Sequence, residues 1–381
     1  MGLTLASFSK ISMSGIKTIV LDNGSGYMKA GLANDAAPAV IEPTLIGSTK
    51  HQSVLFAPQQ KSVFVGNEAY EKKGDLFLRY PIEHGHIRNW EDMETIWKEI
   101  FSQKLFCDPS KSRILVSSHP LCERANKEKL TERLFEEFKI PNLYVANSAI
   151  LCIYATGTTS GLVVESGEGV TYSAPVHNGY YITEAVSRMN VAGKEITNYF
   201  ARLLSESGHQ FTSASDLETV KQIKENQCFF RSPTHQNPRD KSKFILPDGS
   251  SIQLGNERHE AAEVLYNPLL VGQECDGLGG MVASSLLSSP LDTRQNLALN
   301  IVVNGGTSRA EGFEERLKSE LETKLSKTHP QLSFTIKVSE NREIGAWIGG
   351  SVLASSMQDD AWMSKHEYQE YGAHYVHQKC L

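Results

Sequence analysis

The stretch LVVESGEGVTYSAPV, residues Leu162 to Val176, decides how the rest of this chain is interpreted. An apolar run precedes a short turn of glycines and acids, and a second strand-like run follows it. Apolar runs of this length around a glycine turn are typical of paired β-strands. Glycine turns also let backbone amides approach a phosphate closely. The two glutamates of the turn, Glu165 and Glu168, therefore raise the question of what it binds.

An earlier segment repeats this design. VLDNGSG, which contains Asp22, and VVESGEG, which contains Glu165, each have two apolar residues, an acid, a small polar residue and Gly-x-Gly. Two such units far apart in one chain predict two related halves that face each other across a cleft. A third turn, VVNGGTSRAEGF, has Gly305 and Gly306 leading into a predicted helix, and a helix N-terminus behind glycines favours an anion or a polar ligand edge.

The side chains near the first turn indicate a phosphorylated ligand with a metal. Ser25 adds a hydroxyl and Lys29 a cation just past the turn. The neighbouring acids would repel phosphate, so a divalent cation is implied between them. Mg²⁺ suits this arrangement because it keeps most of its waters and is held by one or two carboxylates plus phosphates.

Length and composition restrict the class of protein. The chain has 381 residues, which predicts two domains. Its net charge of -6 gives no basic field for nucleic acid or an anionic membrane, so we expect neither partner. Its 6 cysteines have no Cys-x-x-Cys spacing, which favours free thiols in a reducing compartment, the cytoplasm or the nucleus.

The hydrophobic period alternates between two and about 3.6, which predicts mixed α and β structure. NWEDMETIWKEIFSQKL reads as an amphipathic helix capped by Asn89, and ERANKEKLTERLFEEFKI reads as a second helix that ends before Pro141. RILVSSHP reads as a short buried strand.

Several motifs together resemble actin, in order and at matching separations, from about residue 16 to residue 381: VLDNGSGYMKAGLANDAAP, YPIEHG, NWEDMETIW, IKENQC, LPDG, GNER, NGGT, WIGGSVLAS and VHQKCL. The resemblance implies the α/β fold of actin, sugar kinases and heat-shock chaperone ATPases. Two related α/β domains, each with a five-stranded sheet, would hold nucleotide in a cleft. The first would comprise residues 1–155 and 345–381 with an outer lobe at 44–80, and the second residues 156–344 with an outer lobe at about 192–273.

The resemblance also implies a binding site for ATP or ADP with Mg²⁺ or Ca²⁺. Asp22, and Glu165 through water, would lie near the metal. The predicted nucleotide-binding residues are Gly24, Ser25, Gly26, Tyr27 and Lys29 in the first phosphate loop, Gly167, Glu168, Gly169 and Val170 in the second, and Gly193, Lys224, Glu225, Gly305, Gly306, Thr307 and Arg309 around the nucleoside.

Four predicted catalytic positions are Asp22, Ser148, Glu165 and Tyr172, and the last three depart from the actin pattern. Glu165, like Glu168, is one methylene longer than the actin aspartate. Ser148 stands where actins have the glutamine that orients the attacking water, and Tyr172 replaces the histidine of that water network. Asn147 cannot replace the glutamine if it lies on the same helix, because adjacent helical side chains point about 100° apart. We therefore expect slow or absent hydrolysis, the alternative being that Glu165 orients water itself.

We also expect weaker contacts between this chain and the adenine base of the nucleotide. Glu343 stands where actins usually have a lysine, and Arg309 and Ala310 replace an apolar and aromatic pair. Loss of an aromatic ring weakens stacking on adenine, although the flat guanidinium of Arg309 can lie over a purine instead.

Two segments bear on assembly. The outer-lobe loop HQSVLFAPQQKS has an apolar tip at Val54, Leu55 and Phe56 that suits a contact with another subunit. PLLVGQECDGLGG puts Gln273 and Asp276 into a stretch that is apolar in actin and joins filament strands, where a buried carboxylate is costly. The acidic N-terminal cluster that attracts myosin is missing, which argues against myosin binding.

These observations predict a static, ATP-binding, actin-like subunit of a larger cytoskeletal assembly in the cytoplasm, with other actin-like subunits or a cytoskeletal complex as protein partners. One alternative is a polymerising actin with ATPase-driven turnover. Another is a nuclear actin-related subunit of a chromatin-modifying complex. A small-molecule kinase on the same fold is less favoured, because the sequence shows no sugar site.

Overall fold

The computed structural model describes residues 16–50, 61–232, 242–246, 249–326 and 328–380. The predicted apolar tip at Val54, Leu55 and Phe56 lies outside these residues. The strands in the described part are β1 (Lys17–Asn23), β2 (Tyr27–Leu32), β3 (Val40–Pro43), β4 (Ile46–Thr49), β5 (Val63–Val65), β6 (Leu76–Arg79), β7 (Ile82–Glu83), β8 (His86–Ile87), β9 (Ser112–Ser118), β10 (Asn142–Asn147), β11 (Gly161–Ser166), β12 (Thr171–His177), β13 (Tyr180–Tyr181), β14 (Ser187–Met189), β15 (Ser242–Ile245), β16 (Ser251–Leu254), β17 (Ile301–Asn304), β18 (Ile336–Val338) and β19 (Met363–Ser364).

The α-helices of the same residues are α1 (Gly66–Glu71), α2 (Trp90–Glu99), α3 (Arg124–Glu136), α4 (Ser148–Ala155), α5 (Gly193–Glu206), α6 (Ala214–Gln227), α7 (Glu257–Glu260), α8 (Leu278–Ser288), α9 (Leu291–Ala298), α10 (Phe313–Leu325), α11 (Gly345–Ser356), α12 (Lys365–Tyr371) and α13 (Val376–Lys379). Both amphipathic helices predicted from the sequence are present as α2 and α3. The Asn89 side chain accepts a hydrogen bond from the Asp92 amide at 3.1 Å, which confirms it as the cap of α2.

The first large sheet has the strand order β19-β10-β9-β1-β2-β3. β1 pairs antiparallel with β2 and parallel with β9, and β9 pairs parallel with β10. The strands β1 and β9 are apolar and buried, as expected for parallel strands covered on both faces. The sequence RILVSSHP is thus a buried strand, as predicted.

The second large sheet has the order β13-β12-β11-β17-β18, with β14 also paired to β12. β11 pairs antiparallel with β12 and parallel with β17. The hairpins β1–β2 and β11–β12 therefore hold equivalent places in two sheets, which accounts for the repeated sequence design. The expectation of five strands per sheet is wrong in detail, because short edge strands, β19 and β14, add a sixth to each.

Smaller elements lie outside the two large sheets. β4, β5 and β6 form a three-stranded sheet against α1, and β15 pairs with β16 in a hairpin that follows α6. The domain boundaries given above stay a prediction. Among the described residues, no helix combines the length and apolar character that crossing a membrane requires.

Helices α4 and α11 pack between the two sheets. The Trp347 indole of α11 is fully buried and donates a hydrogen bond to the Val20 carbonyl of β1 at 3.1 Å. A Cβ at Gly349 would lie 1.8 Å from the Leu151 carbonyl oxygen of α4, so only glycine permits this approach. The close packing of α11 against α4 therefore requires glycine at position 349.

Gly349→Ala is expected to lower the free energy of unfolding by about 3 kcal/mol or more, because the clash is with backbone rather than with a flexible side chain. Urea denaturation followed by circular dichroism measures this change. Gly74→Ala is the matched control, since a Cβ there meets nothing within 4 Å. Equal stability of the two variants would contradict the prediction.

Candidate functional site

The turns of the two hairpins face each other at the centre of the molecule. A Cβ built at Gly26 would lie 2.7 Å from the Glu168 Cβ, and one at Gly169 would lie 2.6 Å from the Ser25 hydroxyl. The predicted pairing of two glycine turns across a cleft is therefore observed, and the absence of side chains is what allows the approach.

A cavity of about 680 Å³ opens around these turns, a volume typical of small-molecule sites. Every residue predicted for the site lines it except Gly193: Asp22, Gly24, Ser25, Gly26, Tyr27, Lys29, Ser148, Glu165, Gly167, Glu168, Gly169, Val170, Tyr172, Lys224, Glu225, Gly305, Gly306, Thr307 and Arg309. Gly193 lies behind the second turn, where its amide donates to the Gly167 carbonyl at 3.0 Å.

Asp22 and Lys29 form an ion pair on the first hairpin. The Lys29 ammonium lies 3.0 Å from Asp22 Oδ2, and the Ser117 hydroxyl donates to Asp22 Oδ1 at 2.5 Å. Burial opposes the charge of Lys29, but the carboxylates of Asp22 and Glu165 outweigh it and keep the Lys29 pKa above its ordinary value. A fixed cation thus lies beside the turn that would hold phosphate.

Sequence reasoning does not identify Ser117, because RILVSSHP indicates only a buried strand. Parallel pairing sets Val116 of β9 opposite Leu21 of β1, so the next residues, Ser117 and Asp22, become neighbours. A serine at the carboxyl end of a buried strand was the available signal.

Three side chains, Ser148, Tyr172 and Glu165, form a linear hydrogen-bonded chain beside the second turn. The Tyr172 hydroxyl donates to Glu165 Oε2 and lies 2.8 Å from the Ser148 hydroxyl. Tyr172 and Ser148 are both buried. The short serine thus makes room for the tyrosine ring, whose hydroxyl occupies the space between positions 148 and 165.

This environment changes the acidity of the group at its centre. Burial raises the pKa of Glu165 above its ordinary value and the nearby Asp22 charge adds to this, while the hydrogen bond from Tyr172 partly opposes them. Burial, followed by the charge of Glu165, also raises the pKa of the Cys152 thiol well above its ordinary value. Burial, followed by the charge of Glu165, likewise raises the pKa of Tyr172 well above its ordinary value. Tyr172 and Cys152 therefore stay protonated at neutral pH and cannot serve as bases.

Glu165→Gln is expected to become increasingly stabilised relative to the native chain as pH rises. The folded-state pKa of Glu165 lies above its unfolded value, so the folded chain holds a proton more tightly and ionisation opposes folding above the unfolded pKa. The difference should be absent in acid, grow from about pH 4.5 and level off above the folded pKa. Urea denaturation at several pH values measures it, and a difference independent of pH would contradict the assignment.

Glu168 reaches away from the hairpins to helix α6. Its carboxylate lies 3.3 Å from the Lys224 ammonium and 4.0 Å from that of Lys221. Burial acts to raise the Glu168 pKa, but the two lysines outweigh it and hold the pKa below its ordinary value. Lys221 also lies over the Tyr27 ring, 4.6 Å from its centroid. The phosphate-binding turn can therefore contain an acid at position 168, because lysines neutralise its charge.

Glu225 lines the cavity on the same helix α6. Burial raises its pKa above the ordinary value, although Lys221 and Lys224 oppose this. Its carboxyl oxygens can accept hydrogen bonds, which suits the hydroxyls of a sugar.

The third turn closes the cavity by contact with the second. The Thr307 hydroxyl donates to the Gly167 carbonyl at 2.7 Å, and a Cβ at Gly305 would lie 2.2 Å from the Ser166 carbonyl oxygen. The helix predicted after these glycines is confirmed as α10, but the glycines do not form its first turn. They enter a single 3₁₀ turn, Gly306–Arg309, and α10 begins only at Phe313.

Arg309 and Glu343 form an ion pair with each other. Arg309 Nη1 lies 2.8 Å from Glu343 Oε1 at the rim of the cavity. The two charges neutralise each other, while the expected loss of stacking on the base stays a prediction. Glu343 Oε2 is buried and has no hydrogen-bond partner among the described residues, so it can accept from a ligand amino group.

The placement expected for Asn147 is also corrected. Asn147 ends β10 and caps α4, where its side chain accepts from the Ala149 amide at 2.9 Å. It is therefore unable to orient a water because it is occupied as a cap, and not because it lies on the helix.

The residues present fit a hydrated divalent cation. Asp22 and Glu165 offer carboxylate oxygens close enough that the charge of one raises the pKa of the other. Mg²⁺ and Ca²⁺ both prefer oxygen ligands, and Mg²⁺ needs only one or two carboxylates with water and phosphate completing its shell. Such a cation would neutralise the charge of a bound polyphosphate.

Comparison with models of protein families gives a match for this chain. The model of the family described as Actin matches residues 13–381. The match covers nearly the whole chain, including both hairpins, the third turn and helices α4 and α11.

Proposed function

Because this chain belongs to the actin family, whose members generally bind a nucleotide and a divalent cation, we propose that it is an ATP-binding structural subunit with slow or absent hydrolysis. Its role would be static, within a larger cytoskeletal assembly in the cytoplasm, and its partners would be other actin-like subunits or proteins of that assembly.

The observation that carries the proposal is the position of the Tyr172 hydroxyl. It donates to Glu165 and contacts Ser148, so the three groups that depart from the actin pattern satisfy one another. Cleavage of a phosphoanhydride depends on positioning a water and stabilising charge. Here the side chains that would position the water are short, or already hydrogen-bonded to each other.

Binding itself has support from the remaining residues. The Lys29 ammonium and the amides of the two glycine turns would hold the phosphates, with the cation near Asp22 and Glu165 as the charge-neutralising group. Lys224 and Glu225 on α6, with Thr307 and Glu343 opposite, line the part of the cavity left for the nucleoside. Binding and hydrolysis therefore rest on different residues.

The static role has separate support. Gln273 and Asp276 are exposed in the segment that would have to enter an apolar filament contact. Burying an unpaired carboxylate there would oppose assembly. The alternative, a polymerising actin with ATPase-driven turnover, is favoured by Leu269 of the same segment, which is 64% exposed and offers an apolar contact.

A single-turnover experiment tests the proposal. The purified chain is loaded with γ-labelled Mg-ATP, and phosphate release is followed beside a filament-forming actin, with sedimentation of both in salt and Mg-ATP. We expect retained ATP, little phosphate release and no pelleting of the chain alone. Release and pelleting equal to those of the actin would overturn the proposal in favour of the alternative.

A further inference from the structure

A cluster of soft metal ligands lies beside the first phosphate loop. One ligand atom each from His86, His119 and Cys122 lie within 4.8 Å of one another. The two imidazole rings meet edge to face with centroids 4.9 Å apart. Two imidazoles and a thiol are the donors that Zn²⁺ and related transition metals prefer, in contrast to the oxygens that Mg²⁺ prefers.

His119 has the geometry of a metal ligand already oriented by its backbone. Its Nδ1 lies 2.8 Å from the Pro120 carbonyl oxygen, which can only accept, so Nδ1 carries the proton. The lone pair is then on Nε2, which is buried and has no hydrogen-bond partner among the described residues. Metal-bound histidines commonly donate their other nitrogen to a carbonyl in this way.

His86 supplies the second imidazole. The residue is only 5% exposed, and its Nδ1 has no hydrogen-bond partner within the described part of the chain. A buried neutral imidazole with an unsatisfied nitrogen is costly unless a ligand completes it.

Arg188 is the group that opposes a cation here. Its Nη2 lies 3.3 Å from His86 Nε2, and its Nη1 lies 3.4 Å from His119 Nδ1. A guanidinium can only donate, so in the metal-free chain His86 Nε2 accepts from Arg188 and His86 Nδ1 carries the proton. Ligation through Nδ1 moves that proton to Nε2, which then faces the Glu123 carboxylate. Glu123 offsets the Arg188 charge, since its carboxylate lies 3.8 Å from His86 Nε2. That carboxylate is 54% exposed and is not part of the three-residue cluster.

The cluster is reached from the nucleotide cavity. His119 and Cys122 line the same cavity as the two glycine turns. Gly85, next to His86, donates its amide to the Ser25 hydroxyl at 3.0 Å. A metal ion can therefore reach the cluster through the cleft. Once bound, it would lie close in space to Ser25 of the first phosphate loop.

We propose that His86, His119 and Cys122, with water as the fourth ligand, form a binding site for Zn²⁺ or a similar transition metal, separate from the Mg²⁺ position. Binding breaks the Cys122 S–H bond, forms a metal–sulfur bond and releases the proton to solvent. A tetrahedral site needs shorter spacing than the cluster now has, so the side chains close on the metal as it binds.

The test adds Co²⁺ alone, and Zn²⁺ alone, to the full chain with Mg-ATP present to occupy the oxygen ligands of the cleft. We expect one Co²⁺ per chain with a thiolate-to-cobalt charge-transfer band, displaced by Zn²⁺, and a rise in Tm on adding Zn²⁺. His119→Ala and Cys122→Ser should weaken binding by at least about 100-fold, more than is usual for loss of an outer-shell partner.

The controls are Cys275→Ser and His366→Ala, which remove an exposed thiol and an exposed imidazole elsewhere and should leave metal binding unchanged. Absence of the charge-transfer band in the native chain would overturn the proposal whether or not any variant folds. Equal binding by the native chain and Cys122→Ser would also overturn it. If the chain still binds ATP in either case, the metal site has failed while the proposed nucleotide function stands.

Discussion

A chain that carries Ser148→Gln, Glu165→Asp and Tyr172→His together is expected to hydrolyse bound ATP about 100-fold faster than the native chain. Glutamine supplies the amide that serine is too short to present. Histidine removes the phenol hydroxyl that now lies between Ser148 and Glu165. Aspartate withdraws the carboxylate by one methylene and restores the shorter reach toward a hydrated metal.

The three changes have to be made together because their packing is coupled. Ser148 is only 4% exposed and touches Tyr172, so glutamine alone would be forced into an occupied space. Contacting residues of this kind are expected to behave non-additively. Ser148→Gln alone should therefore lower stability and give little rate increase.

Single-turnover release of labelled phosphate measures the effect. The matched control is Ser148→Ala in the background of Glu165→Asp and Tyr172→His, which empties the same space without providing an amide. A triple variant that binds ATP normally yet releases phosphate no faster than this control would show that water positioning is not what limits the native chain.

Lys29→Met is expected to weaken ATP binding by about 100-fold or more, roughly 3 kcal/mol. The Lys29 side chain is 14% exposed and lies 3.0 Å from Asp22, so its loss leaves a buried carboxylate facing the phosphates without its cation. Methionine keeps the length and apolar stem of the side chain, which limits the change to the charge.

Equilibrium titration with a fluorescent ATP analogue gives the affinity, and circular dichroism gives the folded fraction. Lys379→Met is the matched control, because Lys379 is 19% exposed, pairs with Glu367 at 2.8 Å and does not line the cavity. Equal affinities for Lys29→Met and Lys379→Met would remove Lys29 from the phosphate site.

Much of the fold follows from local pattern. The hairpin design around Asp22 and Glu165 predicted two facing turns, and the apolar periods predicted α2, α3 and the buried strand β9. These features depend on neighbours in sequence, which set strand alternation, helix capping and glycine turns. The candidate site was also found from motifs, since residues that touch one cavity cluster around three glycine turns.

Partnerships between distant residues were less accessible. Nothing in the sequence pairs Arg309 with Glu343, and each alone indicated damage, whereas together they form an ion pair. Nothing in the sequence pairs Glu168 with a lysine either, although its carboxylate contacts Lys224, 56 positions away on helix α6. The cluster of His86, His119 and Cys122 likewise joins segments that have no spacing motif.

The sequence by itself determined the family, the two glycine hairpins and the identity of the groups around the cleft, because each is written in contiguous residues. Only the tertiary structure decided what those groups do for one another. The Tyr172 hydroxyl became a cap on Glu165, and Glu168 became the partner of lysines. The physical reason is that the state of a buried charge depends on which partners the fold brings within a few ångströms, and chain order does not specify that distance.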